Sequence, residues 1–388
     1  MSVNALNKEQ CYLLLADINA QCTGVTPVTP TDLSSFISVA NSTLAVGTDK
    51  IMGAISNVLQ RTLYAVRPYN EKFKGLEYTA DQWGGIIRKI SFADRPAEAE
   101  EGYSLVDGQS IDPFVVHKPN VLEMRYYGSD VYSHTITITE KQLRECFQSP
   151  EAFGSFMSSL MVHFANERKM YLENLKRQIL VNAIASKNDM AQDVINLRTD
   201  YNTATGLSLT AQQILQPANF KPFMEWCYKE IAKYSRLMEA RSQKFQMVIT
   251  GKPIMRHTDK RDQRFYMLAD FLEAMSAQVL ADAYHDSFLR YADVEGVDYW
   301  QAIDNPDEVQ ATPVYIDNTG AVTTGSAQTM TNVIGIMFDR DAMGYNIIDD
   351  SIVSSVYNSS GQYYNLVQHT DIMLQTDMTE KIIVFTLN

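Results

Sequence analysis

Four cysteines stand in 388 residues, Cys11, Cys22, Cys146 and Cys227, with no C-x-x-C pair and no histidine beside them. This excludes a zinc site and a disulfide framework and predicts reduced thiols in a cytoplasm. The six histidines, His117, His134, His163, His257, His285 and His369, are scattered without an H-E-x-x-H, so surface or core roles are expected for each. No G-x-S-x-G or G-x-G-x-x-G occurs. Thr250-Gly251-Lys252-Pro253 fails as a phosphate loop, because Gln246 stands where the first glycine is needed and Pro253 where Ser or Thr would reach Mg²⁺. Long apolar runs are missing too. The first 21 residues lack a basic region, and Tyr12 to Ala16 is too short for a signal peptide or a membrane span. The protein is therefore expected to be made and used in the cytosol, or to leave it by lysis.

Positive charge is scarce: 33 Lys and Arg stand against 46 Asp and Glu, a formal net charge of -13. Nucleic acid is held chiefly by cations on phosphates, so a specific DNA or RNA binder is disfavoured. Fixed-period repeats and low-complexity tracts are absent, which excludes solenoids. No catalytic residue, metal ligand set or cofactor site is nominated by any of these patterns.

What the chain does have is one unusually long helical period. From Pro150 to about Ser186, apolar residues at Phe153, Phe156, Met157, Leu160, Met161, Phe164, Tyr171, Leu172, Leu175, Ile179, Ala183 and Ile184 form a continuous stripe. Ser149 is the expected N-cap, with Pro150 at the first helical position and Glu151 in the first turn. Such a helix is on the order of 50 Å long, more than a small domain is wide.

Before this spine, Lys8 to Asn19, Asp32 to Ala40 and Thr48 to Ala65 have helical character, and Val25 to Pro30 reads as an extended arm because each proline biases its predecessor away from helix. Period-two patterns mark strands at Ile86 to Phe92, Val121 to Tyr127 and Val131 to Thr139, with a loop at Ala93 to Pro119. This is expected to be one long hairpin, which needs a partner surface because its edges are unpaired. Thr139 and Gln142 form a capping box for a short helix. Beyond the spine come a polar connection (Asp189 to Pro217), a helix from Phe220 to about Ala240, a buried strand at Phe245 to Thr250, a helix at Arg264 to Ala277, a strand at Gly296 to Ile303 and a hairpin at Val314 to Val322. Strands at Val333 to Phe338, Tyr363 to Leu374 and Lys381 to Asn388 close the chain, the last expected to be buried because Ile382 to Phe385 is wholly apolar.

One stretch invites a chemical reading. Val333 to Phe338 ends in Asp339-Arg340-Asp341, a spacing at which two carboxylates can hold Mg²⁺ and present one as a nucleophile. Met343 stands where that phosphotransferase pattern requires Thr, and it also replaces a ligand of the EF-hand spacing that Asp339, Asp341, Gly344 and Asp350 echo. A solvated turn after a strand is the expected role.

In order, the elements are an arm, an acidic-tipped hairpin, a long spine, an α/β lobe and a strand-rich return. This order resembles the tailed-phage major capsid protein fold of the Hong Kong 97 type, an α+β fold. The tail, Gly335-Ile-Met-Phe-Asp339 through Thr379 to Asn388, looks like that family's late crossover and final strand, and the size looks like the shells of small podoviruses. The resemblance implies an N-terminal arm (1–82), an E-loop β-hairpin (83–139), a P-domain with the spine helix (140–208), an α/β A-domain (209–338) and closing P-domain strands (339–388). It implies a structural protein, not an enzyme, of the virion capsid. Such a protein assembles in the host bacterial cytoplasm into hexamers and pentamers of itself, forming an icosahedral shell around phage double-stranded DNA. Fewer residues precede the hairpin than in family members with a scaffold-like domain, so a separate scaffolding protein is implied, together with a portal. Candidate intersubunit contacts are the apolar Phe114, Val115 and Val116 and the acidic Glu98, Glu100 and Glu101. The rival readings are an encapsulin-type nanocompartment of the same fold and a Mg²⁺-dependent phosphotransferase using Asp339.

Overall fold

The computed structural model describes residues 6–65, 72–73, 75–77, 86–94, 105–112, 114, 116–280 and 293–388. Three helices open it: α1 (Lys8–Thr23), α2 (Leu33–Val46) and α3 (Thr48–Ala65). Asn7 caps α1 in a capping box with Gln10, and Gly24 ends it at φ 70°, a left-handed turn that glycine adopts freely. Asp32 and Ser35 make the same box for α2. Tyr12 stacks on Phe36 at 5.8 Å and Asn19 donates to Thr43 at 2.7 Å, so α1 and α2 run parallel. Residues 25–31 are extended as their prolines require, yet they serve as the crossover of this pair rather than as a free arm. Leu15, Ile18, Phe36, Ile51, Ile55 and Leu59 bury themselves with Phe153, Met157, Leu160 and Phe164 in one core. The expected N-terminal arm is therefore, over its described residues, a helical layer on the first half of the spine.

β1 (Ile86–Phe92) and β2 (Val121–Tyr127) pair antiparallel as a two-stranded ribbon. β3 (Asp130–Thr139) leaves that ribbon, so the expected 83–139 hairpin ends at Tyr127. α4 (Glu140–Cys146) starts at the Thr139 capping box, and α5 (Pro150–Asp189) is the spine, capped by Ser149 as expected. Its 40 residues make it about 60 Å long.

β4 (Val194–Asn196), α6 (Leu197–Thr205) and α7 (Ala211–Ile214) occupy the expected polar connection, and α8 (Pro217–Glu239) follows. Phe245 to Thr250 forms no ladder. It is a mostly buried coil, bonded through Met247 N–H to Met378 O and through Phe245 O to Ile382 N–H. Gln263–Leu268 is β5 and only Ala269–Leu280 is helical (α9), against the expected helix at Arg264 to Ala277. The helical spacing of Phe265, Leu268, Leu272 and Met275 was overridden by pairing, since β5 lies between two strands. β6 is Asp293–Val297 rather than Gly296 to Ile303; β7 (Val309–Ala311), β8 (Val314–Ile316), β9 (Val322–Thr324) and β10 (Gln328–Met330) follow, β8 and β9 forming a hairpin and β7 pairing with β10 on either side of it in the chain. β11 (Val333–Asp339), β12 (Met343–Ser354), β13 (Tyr363–Thr376) and β14 (Ile382–Thr386) complete the chain.

A five-stranded sheet in the order β4-β14-β11-β5-β6 gathers strands from both sides of the expected 209–338 lobe. Ile336, Phe338, Ile382 and Val384 face the second half of α5, while Met337, Ile383 and Phe385 face α8 and α9. β14 is fully buried, as its apolar run predicts. The second sheet, β12-β13-β3, lies against the middle of the spine, where Arg168 meets the buried Asp350 at 3.0 Å. This ion pair sits between the core on Phe153 to Phe164 and the core on Leu172 to Ile184.

Candidate intersubunit surface and the Asp339 turn

Alternation splits the β1–β2 ribbon into two faces. Ile87, Lys89 and Ser91 with Leu122, Met124 and Tyr126 are buried or half-buried on the chain's own body, whereas Ile86, Arg88, Ile90 and Phe92 with Val121, Glu123, Arg125 and Tyr127 look outward. Phe92 is 64% exposed and Tyr127 78%. Arg88 and Arg125 stand opposite each other, and Glu123 bridges them with bonds of 2.7 and 2.6 Å. The Arg88 bond, then that of Arg125, holds the Glu123 carboxyl below its usual range.

The loop end of the ribbon is tied down by polar contacts. Asp94 pairs with Arg241 and accepts from Met255 N–H at 2.7 Å; Asn120 donates to Gly251 O at 2.7 Å and Lys252 to Val121 O at 2.6 Å. The failed phosphate loop is thus a clamp on the ribbon. Lys89 reaches Asp377 at 3.0 Å and Glu380 at 3.5 Å, and Arg256 reaches Glu380 at 3.3 Å. Burial outweighs these two cations and pushes Glu380 up to about 7.

This has a consequence for pH. Between the unfolded value of 4.5 and about 7 the folded chain holds the extra proton, so Glu380 makes stability fall as pH rises through that window. Glu380→Gln is expected to raise stability at pH 8 by on the order of 2 kcal/mol and to change little at pH 4.5, measured as urea midpoints of parent and variant at both values.

Of the residues nominated from sequence, Phe114 is 85% exposed and Val116 76%. Val115, Glu98, Glu100 and Glu101 lie outside the described residues. The outward residues Ile86, Ile90, Phe92 and Tyr127 were not nominated, although the period-two pattern marked their strands. Asp339 is not in a solvated turn: it is buried, Oδ2 accepting from Thr258 at 2.6 Å and Oδ1 from Asp341 N–H at 2.8 Å. Lys381 donates to Met238 O at 3.0 Å and Ala240 O at 2.6 Å, closing the end of α8; burial lowers it to about 8, against the pull of Asp339. Asp341 is exposed and Asp350 is committed to Arg168, so these carboxylates are not brought together. Among the described residues no cluster of His, Cys, Asp and Glu could hold a metal ion, and no helix is long and apolar enough to cross a membrane.

An outward apolar ribbon, a spine about 60 Å long and a sheet closed by the C-terminal strand define the fold. A chain in the capsid structure of Staphylococcus phage Andhra is similar with a TM-score of 0.53 and 12% identity, covering 82% of this chain and 84% of that one. A chain of native bacteriophage P68, from the structure described as head fiber and inner core protein gp22, is similar with a TM-score of 0.53 and 12% identity over 82% and 85%. No curated protein matches. The model of the Phi29-like phage major capsid protein family matches residues 16–386, and the chain belongs to that family. Its place is the virion, where it serves as the major capsid protein and assembles into a multimeric shell.

Proposed function

We propose that copies of this chain form hexamers and pentamers that close into an icosahedral shell around double-stranded DNA, with the β1–β2 ribbon and its tip bridging neighbours. The observation that carries this reading is the exposed apolar side chains of the ribbon's outward face, Ile86, Ile90, Phe92 and Tyr127, together with the exposed Phe114 and Val116 of the connecting loop. Apolar surface of that extent on an isolated chain marks a contact site, and in a closed symmetric assembly the cover is another copy. Val115 joins this contact, and Glu98, Glu100 and Glu101 pair with basic groups opposite. A net charge of -13 supports enclosing DNA without sequence-specific grip. A separate scaffolding protein and a portal are the further partners, and assembly takes place in the host bacterial cytoplasm. The chain's role is structural rather than enzymatic, and the engagement of both Asp339 oxygens in internal bonds supports this over a phosphotransferase using that residue.

Sedimentation and negative-stain microscopy of the purified chain, alone and with co-produced scaffolding protein, test this reading. Capsomers or closed shells are expected; a stable monomer under both conditions contradicts it. A phosphatase activity lost in the Asp339→Asn, Asp341→Asn double variant would contradict the non-enzymatic part.

A further inference from the structure

The second sheet has an unguarded edge. β3 pairs with β13 in one unbroken register from Asp130↔Ile372 to Thr139↔Tyr363, and no strand lies on its other side among the described residues. Glu140 N–H donates to Gln362 O, which continues that register and fixes which residues exchange bonds with β13. Tyr132, His134, Ile136 and Ile138 spend their main-chain groups on β13, and Val131, Ser133, Thr135, Thr137 and Thr139 point theirs outward. Thr139 agrees with this parity, its N–H being taken by Gln142 Oε1 at 3.0 Å. Val131, Ser133, Thr135 and Thr137 remain as an open hydrogen-bonding row.

Exposed edges invite pairing, and proteins usually blunt them with charge, proline, a bulge or shortness. The other outer edges of the three- and five-stranded sheets are blunted. β12 carries a bulge between Ile347 and Asp349 and is bridged at Tyr345 by Glu77; β4 has three residues; β6 has five, with Glu295 among them. β3 has ten residues and, between Val131 and Thr139, no proline, lysine, carboxylate or bulge.

β1 offers the complementary row. Ala93 N–H donates to Asn120 O, so by the same parity Ile86, Arg88, Ile90 and Phe92 point their main-chain groups away from β2. The matching edge of β2 is partly closed, since Lys252 takes Val121 O. A cleft of about 910 Å³ borders β1 at Ile90, Ser91 and Phe92, leaving room beside it.

Resting on the shell reading above, we propose that β1 of one copy adds antiparallel to β3 of the next, making an intermolecular sheet in which Phe92 lies opposite Val131, Ile90 opposite Ser133, Arg88 opposite Thr135 and Ile86 opposite Thr137. The two rows match residue for residue, and the exposed Ile86, Ile90 and Phe92 then share a face with Val131 and the hydroxyls of β3. Joining two different edges is a head-to-tail contact, the kind that closes rings of copies, whereas β3 on β3 gives only a two-fold pair.

Two experiments on the full chain decide it. Ile90→Cys combined with Ser133→Cys places thiols about 5.5 Å apart between Cα atoms, within disulfide reach. The native cysteines are buried and do not compete. Oxidised shells of the double variant are expected to give linked ladders beyond dimers on a non-reducing gel, with each single variant monomeric. Dimers from Ser133→Cys alone, or no cross-link in intact shells, overturn the proposal. Thr135→Pro removes an outward N–H and none from the β13 ladder, so the subunit keeps its unfolding transition while shell yield falls roughly ten-fold or more. Thr135→Lys, which blocks the edge without a backbone change, gives the same loss and serves if the proline variant does not fold. Parent and variant assembling equally well overturns strand addition alone; a parent that never assembles overturns the shell reading itself.

Discussion

Replacing residues 97–117 by a short Gly-Ser turn is expected to leave a folded subunit that no longer forms shells. The replacement spares Asp94, which holds Arg241 and Met255, and Asn120 and Val121, which are held by Lys252, so the loop end of the ribbon keeps its attachment. It also spares Lys89 and the inward face centred on the buried Met124. What goes is the tip, where Phe114 and Val116 are exposed and contribute nothing to the subunit's own core. Covering two such side chains is worth about 1.5–3 kcal/mol each, so losing them at every contact weakens association by roughly a hundred-fold or more. Circular dichroism and thermal unfolding of the subunit check the first half of this expectation, and sedimentation the second. Unfolding of the variant would mean that the tip belongs to an internal core.

The second large effect is expected inside the subunit. Lys187, wholly buried near the end of the spine, donates to Asp193 Oδ2 at 2.7 Å and Phe245 O at 3.2 Å, and burial pushes its ammonium down from the usual value. Both partners sit in left-handed backbone, Asp193 at φ 59° and Phe245 at φ 69°, so one cation pins two strained turns between α5, β4 and the coil beside β14. Lys187→Met leaves the Asp193 carboxylate without its partner and is expected to cost about 3–5 kcal/mol, the usual penalty for breaking a buried pair from one side. Adding Asp193→Asn removes the stranded charge while keeping a residue that tolerates positive φ, so the double variant should recover part of the loss. Urea unfolding of the two single variants and the double variant checks this; additive losses would mean that the pair is not coupled.

The spine and the closing strand were legible in the sequence because each carries a long signal of one period: the stripe from Phe153 to Ile184 and the run Ile382 to Phe385. Local chemistry was legible as well, as Ser149, Thr139 and the Val314 to Val322 hairpin show. What sequence reading missed depends on distant partners. Gln263–Leu268 is short and shares its apolar spacing with the helix that follows, so only β11 and β6 on either side decide that it is a strand. β12 begins at Met343, immediately after the Asp339 turn, and its interior carries Asn346, Asp349 and Asp350; Arg168 and Gln368 make the buried Asp350 tolerable there. The alternation marks β3 to within one residue, Val131 against Asp130 at its start, yet its partner β13 lies more than 200 residues away and nothing local distinguishes that pairing from a continued hairpin. In the candidate contact, the tip residues Phe114 and Val116 stood out as apolar in a polar loop, whereas Ile86, Ile90 and Phe92 became visible only when one face of the ribbon was seen to be occupied.

Amide hydrogen exchange on the unassembled subunit and on the closed shell tests most directly whether neighbours cover the ribbon. The outward-pointing amides of Ile86, Arg88, Ile90 and Phe92, and those of 105–112, are expected to exchange fast in the subunit and to be strongly protected in the shell, while the buried β14 is protected in both. Equal exchange of the ribbon and tip in the two states would contradict the account.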